Sequence, residues 1–169
     1  MPQALLQTIP YQQNTQSDKK TYLGLSDDYI LNCAKSIMET QFKRSHYLTS
    51  PNLTRSYLSL LLANKSRECF GVIFLDNQHG VLDFEILFEG TIDGASVYPR
   101  EVVKAVLAHN AATVILVHNH PSGCTDPSSA DKAITERIVS ALKLIDVRVL
   151  DHLIVGGTDV TSFAERGLL

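Results

Sequence analysis

Two histidines, a serine and an aspartate stand close together in the segment HNHPSGCTDPSSAD, which begins at residue 118. One residue separates His118 from His120, seven residues separate His120 from Ser128, and two separate Ser128 from Asp131. Two imidazoles and a carboxylate supply three metal ligands, and catalytic zinc sites use three protein ligands and leave a fourth position for water. The spacing therefore predicts a zinc site with His118, His120 and Asp131 as its ligands.

The elements on either side of this segment can bring the ligands to one place. Residues 112–117 form a short apolar run, typical of a buried central strand, that leads directly into the first histidine. The prolines and glycine in 121–127 suit a tight loop. A helix is then predicted from Pro127 to about residue 144, so that Ser128 and Asp131, three residues apart, would share one helix face.

The sequence HNHPSG, followed by PS and then D, resembles the JAMM (MPN+) metalloprotease motif of the bacterial RadC-like branch. Three further stretches resemble the same family: FEGTIDGASVYPREVVKAVLAHNAATVILVHNHPSG, DHLIVGG and the ending SFAERGLL. The resemblance covers roughly residues 47–169. It implies an α/β fold of the JAB/MPN, cytidine-deaminase-like architecture.

The resemblance also implies a glutamate at the start of an apolar strand upstream of the histidines, where it activates a zinc-bound water. Glu68 precedes CFGVIFLD and fits that position. A carboxylate beside a metal-bound water is suited to proton transfer, so Glu68 is the expected general base. The alternative is that Glu68 only solvates a surface turn.

The family chemistry implied for this chain is hydrolysis of an amide or isopeptide bond with one zinc ion per chain. Ser128 would donate to the tetrahedral oxyanion, although it could be only a first-turn residue that makes local hydrogen bonds. Cys124, where relatives usually have an acidic residue, could add a thiolate ligand, but a plain loop residue is favoured because three ligands are already present.

The remaining histidines are not assigned to the metal. Asp151 and His152 resemble the family's DH pair, and Asp151 is a candidate hydrogen-bond partner for a ligating imidazole. His152 is interpreted as a structural or supporting residue, and His109 is left outside the ligand set.

The chain divides into an N-terminal extension, 1–46, and an MPN domain, 47–169. RadC proteins usually carry a helix-hairpin-helix region that we do not find here, so the chain resembles short stand-alone RadC-like proteins. Residues 1–20 are predicted to be a mobile leader. Ser26 is predicted to cap a helix from 27 to about 42, whose apolar stripe would pack on the domain or across a homodimer. That stripe consists of Ile30, Leu31, Ala34, Ile37 and Met38.

The rest of the domain alternates between predicted strands and helices. Ser50 and Pro51 suit the cap and first residue of a second helix. A hairpin first, and then strands alternating with helices, predicts a mixed sheet with helices on both faces. The further predicted elements are strands 69–75 and 81–88, a helix 99–109, and strands 147–155 and 160–163.

Composition narrows the class of protein. Fifteen basic and eighteen acidic residues give a net charge of −3, and residues 47–169 hold ten basic and fourteen acidic residues. Because DNA binding needs clustered Lys and Arg, a nucleic-acid partner is not expected. Three widely spaced cysteines fit reduced thiols, and no membrane span or signal peptide is visible, so we expect a cytoplasmic protein.

The sequence leaves two classes of function open. The complete ligand set together with Glu68 and Ser128 favours a zinc metallopeptidase that acts on a peptide or protein substrate of unknown identity. The alternative is a non-enzymatic JAB-fold scaffold or an accessory protein in DNA repair or mobile-element biology. A scaffold has no physical need for a water-activating carboxylate, which is why the enzyme is favoured.

Overall fold

A five-stranded mixed β-sheet carries the predicted ligand segment in the computed structural model, which describes residues 21–22, 24–44, 51–62, 65–90 and 96–169. The helices are α1 (Asp27–Arg44), α2 (Pro51–Leu62), α3 (Pro99–Ala108) and α4 (Ser129–Lys143). The strands are β1 (Thr21–Tyr22), β2 (Leu25–Ser26), β3 (Cys69–Leu75), β4 (Val81–Glu89), β5 (Thr113–Asn119), β6 (Arg148–Gly156) and β7 (Asp159–Ser162).

The strand order of the large sheet is β4-β3-β5-β6-β7. β5 runs parallel to β6, while the β3–β4, β3–β5 and β6–β7 pairs are antiparallel. The predicted hairpin is therefore present as β3 and β4. β1 and β2 form a separate two-stranded ribbon that the sequence patterns did not predict.

The two central strands, β3 and β5, are buried along their whole length. Their sequences, CFGVIFL and TVILVHN, are apolar at odd and even positions alike until the histidine is reached. A strand with apolar residues on both faces needs cover on both sides. In this chain helices supply that cover, and the predicted fold class is confirmed.

One core cluster lies on each face of the sheet. On the first face α3 and α4 pack through residues such as Val106 and Leu142. On the second face α2 packs through Tyr57, Leu58 and Leu62. The side chains of β5 alternate between the two clusters, with Leu116 in the first and its neighbours in the second.

Helix α1 begins at Asp27, directly after the predicted cap residue Ser26. The Ser26 hydroxyl accepts the backbone N–H of Tyr29 at 3.2 Å. Most of the predicted apolar stripe is partly buried, and Met38 packs against the second core cluster. Ile37 differs, since 59% of it is exposed. It lies four residues after Cys33, which is also exposed, so the two share the outer face of the helix.

Two predicted boundaries next to the ligands were wrong by a few residues. β5 continues through His118 to Asn119, beyond the predicted end at residue 117. α4 begins at Ser129 rather than at Pro127, because Ser128 is the N-cap residue and has an extended backbone. Ser128 and Asp131 therefore meet through a cap, and not on one face of a helix.

Some predictions lie outside the described residues: the leader over 1–20, the Ser50 cap and the boundary between the extension and the domain. Within the described part, none of the helices combines the length and apolar character that crossing a bilayer requires.

We expect adjacent residues of α1 to respond differently to truncation. Met38→Ala should lower the free energy of unfolding by about 1–2 kcal/mol, less than the roughly 2–5 kcal/mol of a fully buried methionine. Ile37→Ala, its matched control, should change it by no more than about 0.5 kcal/mol. Urea unfolding measures both. A larger loss for Ile37→Ala would show that the outer face of α1 is covered, for instance by a second copy of the chain.

Candidate metal centre

Backbone pairing fixes the two predicted histidine ligands at the end of the central strands. His118 pairs with Phe70 of β3 on one side and with Ile154 of β6 on the other. His120 has left the strand, but its backbone N–H still donates to the carbonyl of Val155 at 2.8 Å. Both imidazoles therefore project from backbone that neighbouring strands hold in place.

The loop after the histidines packs directly on β6 at Gly156. A Cβ atom at Gly156 would lie 2.4 Å from the carbonyl oxygen of Gly123 and 2.8 Å from the side chain of Thr125. Only glycine permits so close an approach between the loop and the strand. Gly123 itself has a φ of +83°, a left-handed conformation that favours glycine. The two glycines let the chain turn from β5 toward the start of α4.

Asp131 is held by a reciprocal cap at the start of α4. The Ser128 hydroxyl accepts the backbone N–H of Asp131 at 3.1 Å, and the Asp131 carboxylate accepts the Ser128 N–H at 2.8 Å. The same hydroxyl donates to Asp131 Oδ2 at 2.6 Å. This is a capping box in which Asp131 takes the place of the more usual Glu. The carboxylate is thereby oriented by its own helix terminus.

The carboxylate of Asp131 faces both imidazoles. Its Oδ1 lies 3.1 Å from His118 Nδ1, and its Oδ2 lies 3.5 Å from His120 Nε2. Two ligands of a tetrahedral zinc ion, each with a bond of about 2.0–2.1 Å, are separated by about 3.3–3.4 Å. The two observed separations lie on either side of that value, and each involves a different oxygen of the carboxylate.

Neither ring nitrogen of His118 makes a hydrogen bond of good geometry in the described part of the chain, although both are buried and Nδ1 lies 3.1 Å from Asp131 Oδ1. A buried polar atom without a partner is costly, and metal coordination is one way to satisfy it. His120 is different, because its Nδ1 contacts the carbonyl oxygen of Cys124 at 2.7 Å. A carbonyl only accepts, so Nδ1 carries a proton, which leaves Nε2 as the nitrogen that can bind a metal. Both rings fit a metal ligand set.

Glu68 lies on the other side of the His118 ring. Its Oε2 is 3.8 Å from His118 Nε2. Glu68, His118 and His120 each offer one possible ligand atom, and these three atoms lie within 4.8 Å of one another. The structure therefore brings Glu68, His118, His120 and Asp131 together, with the His118 imidazole between the two carboxylates.

The charges in this group are coupled. Burial alone would raise the pKa of Asp131, but the His118 and His120 rings and the hydrogen bonds from Ser128 outweigh it and hold that pKa below its usual range. Asp131 in turn raises the pKa of His120, against the opposing effect of burial. An ionised carboxylate beside imidazoles attracts a cation, and a proton and a metal ion compete for the same nitrogen.

Three other residues that the sequence analysis considered make contacts other than the expected ones. The Ser128 hydroxyl is engaged with Asp131, as described above. Cys124 is exposed, and its carbonyl rather than its thiol contacts His120. The suggestion that Asp151 supports a ligating imidazole was wrong, because its carboxylate accepts the N–H of His152 and of Ala164 and the hydroxyl of Ser162. Asp151 ties β6 to the turn that follows β7.

His109 belongs to a separate group. Its Nε2 lies 2.9 Å from Glu85 Oε1, and its ring stacks on Phe74 with centroids 4.1 Å apart. Together with Asp83 these residues offer three possible ligand atoms that lie close together. A stacked and ion-paired histidine also accounts for this arrangement without a metal.

Thr135, one turn after Asp131, connects the ligand helix to β6. Its hydroxyl donates to the backbone carbonyl of Asp131 at 2.5 Å and lies 2.7 Å from His152 Nδ1. Because the hydroxyl has one proton, His152 must donate Nδ1–H to it. Sequence reasoning missed Thr135, although the four-residue spacing from Asp131 is the spacing at which a threonine bonds back along a helix.

We expect the buried His152 to make the metal-free protein sensitive to acid. Burial lowers the pKa of His152 to about 3, whereas an unfolded histidine titrates near 6.5. The unfolded state therefore binds a proton first, and the stability contributed by neutral His152 is lost as the pH falls from about 6.5 toward 3. Urea unfolding at pH 7 and pH 5, with metal removed, should show wild type losing about 2 kcal/mol more than His152→Gln. Equal losses would contradict the assignment of a neutral buried imidazole.

Comparison with known proteins agrees with the resemblance to RadC-like proteins that the sequence motifs indicate. A family model described as a RadC-like JAB domain matches residues 48–168. A UPF0758 protein of Vibrio cholerae is 57% identical over 138 residues, which is 82% of this chain and 62% of that protein. One from Tolumonas auensis is 56% identical over 147 residues, 87% of this chain and 62% of that protein.

A UPF0758 protein of Halorhodospira halophila is 50% identical over 163 residues, which is 91% of this chain and 73% of that protein. The chain spans about 62% of the length of the Vibrio and Tolumonas relatives. The expected resemblance is confirmed by the family model, by these identities and by the mixed sheet between helices. The chain belongs to the RadC-like JAB domain family.

Proposed function

We propose that this protein is a zinc-dependent metallohydrolase of the JAMM type, a metallopeptidase or isopeptidase that cleaves an amide bond. The observation that carries the proposal is the buried His118 ring, which lies between Asp131 and Glu68 and whose two nitrogens make no hydrogen bond of good geometry in the described part of the chain. The Asp131 carboxylate is buried and held in place by hydrogen bonds from Ser128, as suits a metal ligand. The Glu68 carboxylate is half-buried and open to solvent. That asymmetry suits one ligand and one base.

His118, His120 and Asp131 would hold the metal. Zinc, when bound there, supplies Lewis acidity, which lowers the pKa of a coordinated water toward about 7 and polarises the substrate carbonyl. The Cys124 carbonyl keeps the His120 ring in the tautomer whose Nε2 can bind metal. The Ser128 cap keeps the Asp131 carboxylate turned toward both rings.

Glu68 would move the proton. As the oxygen of the attacking water forms its bond to the carbonyl carbon, the Glu68 carboxylate accepts the water proton. When the C–N bond breaks, Glu68 returns that proton to the leaving nitrogen, and the products are a carboxylate and an amine. Partial exposure lets Glu68 reach both the reacting water and bulk solvent.

Ser128 is proposed to stabilise the oxyanion, which requires its hydroxyl to change hydrogen-bond partner. Its hydroxyl donates to Asp131 Oδ2, so it must turn toward the substrate to serve a developing negative charge. The backbone N–H of Ser128 would continue to hold the carboxylate during that change.

The substrate is proposed to be a peptide or protein. A cavity of about 170 Å³ opens beside His120, between the loop at Pro121 and Gly123 and the end of β6 at Val155. It is smaller than the roughly 300–1,000 Å³ of a typical small-molecule pocket, so it suits one residue of a chain that continues outside it. The net acidic domain does not favour a nucleic-acid substrate.

The amount of zinc bound per chain should depend on the three proposed ligands. We expect wild type to bind about one zinc per chain, and His118→Ala with His120→Ala, or Asp131→Asn alone, to bind much less. Elemental analysis after dialysis against limiting zinc at pH 7.5 measures this. Cys124→Ser is the matched control and should keep its zinc. Equal zinc in wild type and in the double histidine variant would contradict the site.

Glu68→Gln should separate catalysis from binding. The substitution keeps the side-chain shape and all three ligands, so zinc should stay bound, while turnover falls by about 10²–10⁴ because the base is absent. A panel of isopeptide-linked and linear peptides provides the assay. Glu85→Gln, on β4 and away from the His118 ring, is the control and should keep full turnover. Loss of zinc from Glu68→Gln would make Glu68 a ligand, and unchanged turnover would show that Glu68 is not the base. Absence of turnover in wild type on every peptide of the panel would favour a scaffold.

A further inference from the structure

Asn119 lies between the two proposed histidine ligands and is only 3% exposed. Its side-chain Oδ1 accepts the backbone N–H of Cys69 at 2.6 Å. Its Nδ2 donates to the backbone carbonyl of Arg67 at 3.2 Å. The two backbone partners fix the orientation of the amide, since an N–H must face oxygen and a carbonyl must face NH₂.

These two hydrogen bonds flank Glu68. The last backbone pair between β3 and β5 joins Phe70 and His118, so the regular pairing ends before it reaches Glu68. The Asn119 amide takes over at that point and pairs with the peptide groups on both sides of Glu68, as a backbone residue of a longer strand would. From the opposite side, the N–H of Gly90 donates to the Glu68 carbonyl at 2.7 Å.

We propose that Asn119 is the positioning residue for Glu68. Asn119 ties the short segment that carries Glu68 to the strand that carries His118, and so sets the distance between the carboxylate and the metal ligands. This inference rests on the proposed function, because it assigns Glu68 the role of base. Asn119 does not touch the reacting atoms: its amide oxygen and nitrogen are both used by the backbone.

The physical reason for an asparagine is the need for a donor and an acceptor at the end of one short side chain. An apolar residue would leave the Cys69 N–H and the Arg67 carbonyl without a side-chain partner, and the loss is costly at the Cys69 N–H because that group is buried. Aspartate would keep the acceptor but would face the Arg67 carbonyl with a second acceptor. Glutamine is longer by one methylene and would displace the segment.

The test uses the full chain loaded with zinc and compares Asn119→Ala and Asn119→Asp with wild type. We expect Asn119→Ala to keep about one zinc per chain and to lower kcat by up to about 10²-fold with little change in KM, because the base is displaced while the ligands are not. A crystal structure should show the Glu68 carboxylate moved from its place beside His118. Asn119→Asp, which is close in shape, should keep the Cys69 bond and lose less turnover.

Two further measurements distinguish positioning from a general structural effect. In a Glu68→Gln background, Asn119→Ala should cause no additional loss of turnover, because its effect passes through Glu68. Thr113→Val is the matched control on the same strand: it removes a buried hydroxyl for which the described residues provide no partner, and zinc and turnover should be unchanged.

The inference is overturned if Asn119→Ala loses zinc as Asp131→Asn does, or if its effect adds fully to that of Glu68→Gln. If wild type hydrolyses none of the peptides, the proposed function fails, and the crystal structures still decide the positioning role. Glu68 in an unchanged position in both Asn119 variants would then show that the amide does not place it.

Discussion

The ionised carboxylate of Asp131 is the group on which the arrangement of this site depends. Removing a carboxylate from water is costly unless opposite charge and hydrogen bonds compensate for it. Here the backbone N–H and the hydroxyl of Ser128 both donate to Oδ2, and the imidazoles of His118 and His120 face Oδ1 and Oδ2. The same residue closes the cap of α4. A substitution at Asp131 therefore removes a proposed ligand and a helix cap together.

The sheet provides the rigid frame for that carboxylate. The two histidines stand at the carboxyl end of β5, which is paired on both sides, and the parallel neighbour β6 brings Gly156 beneath the loop that leads to α4. Ligand sites in open α/β sheets commonly lie outside the carboxyl ends of strands, where loops and helix starts converge. Thr135 and His152 join the ligand helix to β6 from within the core.

The sequence was sufficient for those parts of the fold that follow from periodicity. Strands β3, β4 and β5 are continuous apolar or alternating runs, and α1 and α3 carry clear start signals, so their positions could be predicted to within a few residues. The segment that holds the proposed ligands was predicted from residue types and spacing that are typical of a zinc site, and the fold brings these side chains close together. The family model agrees with the resemblance that those residues carry.

Polar side chains with several possible partners were harder to predict. Asn119 and Asp151 accept from or donate to backbone groups of Cys69, Arg67 and Ala164, which only the folded chain brings near them, and the spacing of residues does not select such partners. Ser128 and Thr135 bond to backbone groups three and four residues away, so their spacing does carry a signal. The start of α4 was misplaced because proline is a good first helical residue and Ser128 is a good cap. The two-residue strands β1 and β2 are too short to show a period.

X-ray absorption at the zinc edge of the zinc-loaded protein tests most directly whether this group of residues is a metal centre with an open position. We expect a first shell of about four nitrogen and oxygen atoms at about 2.0–2.1 Å, with outer-shell scattering from two imidazole rings. A sulfur neighbour at about 2.3 Å would place Cys124 or Cys69 on the metal and would contradict the assignment, as would a shell without imidazole.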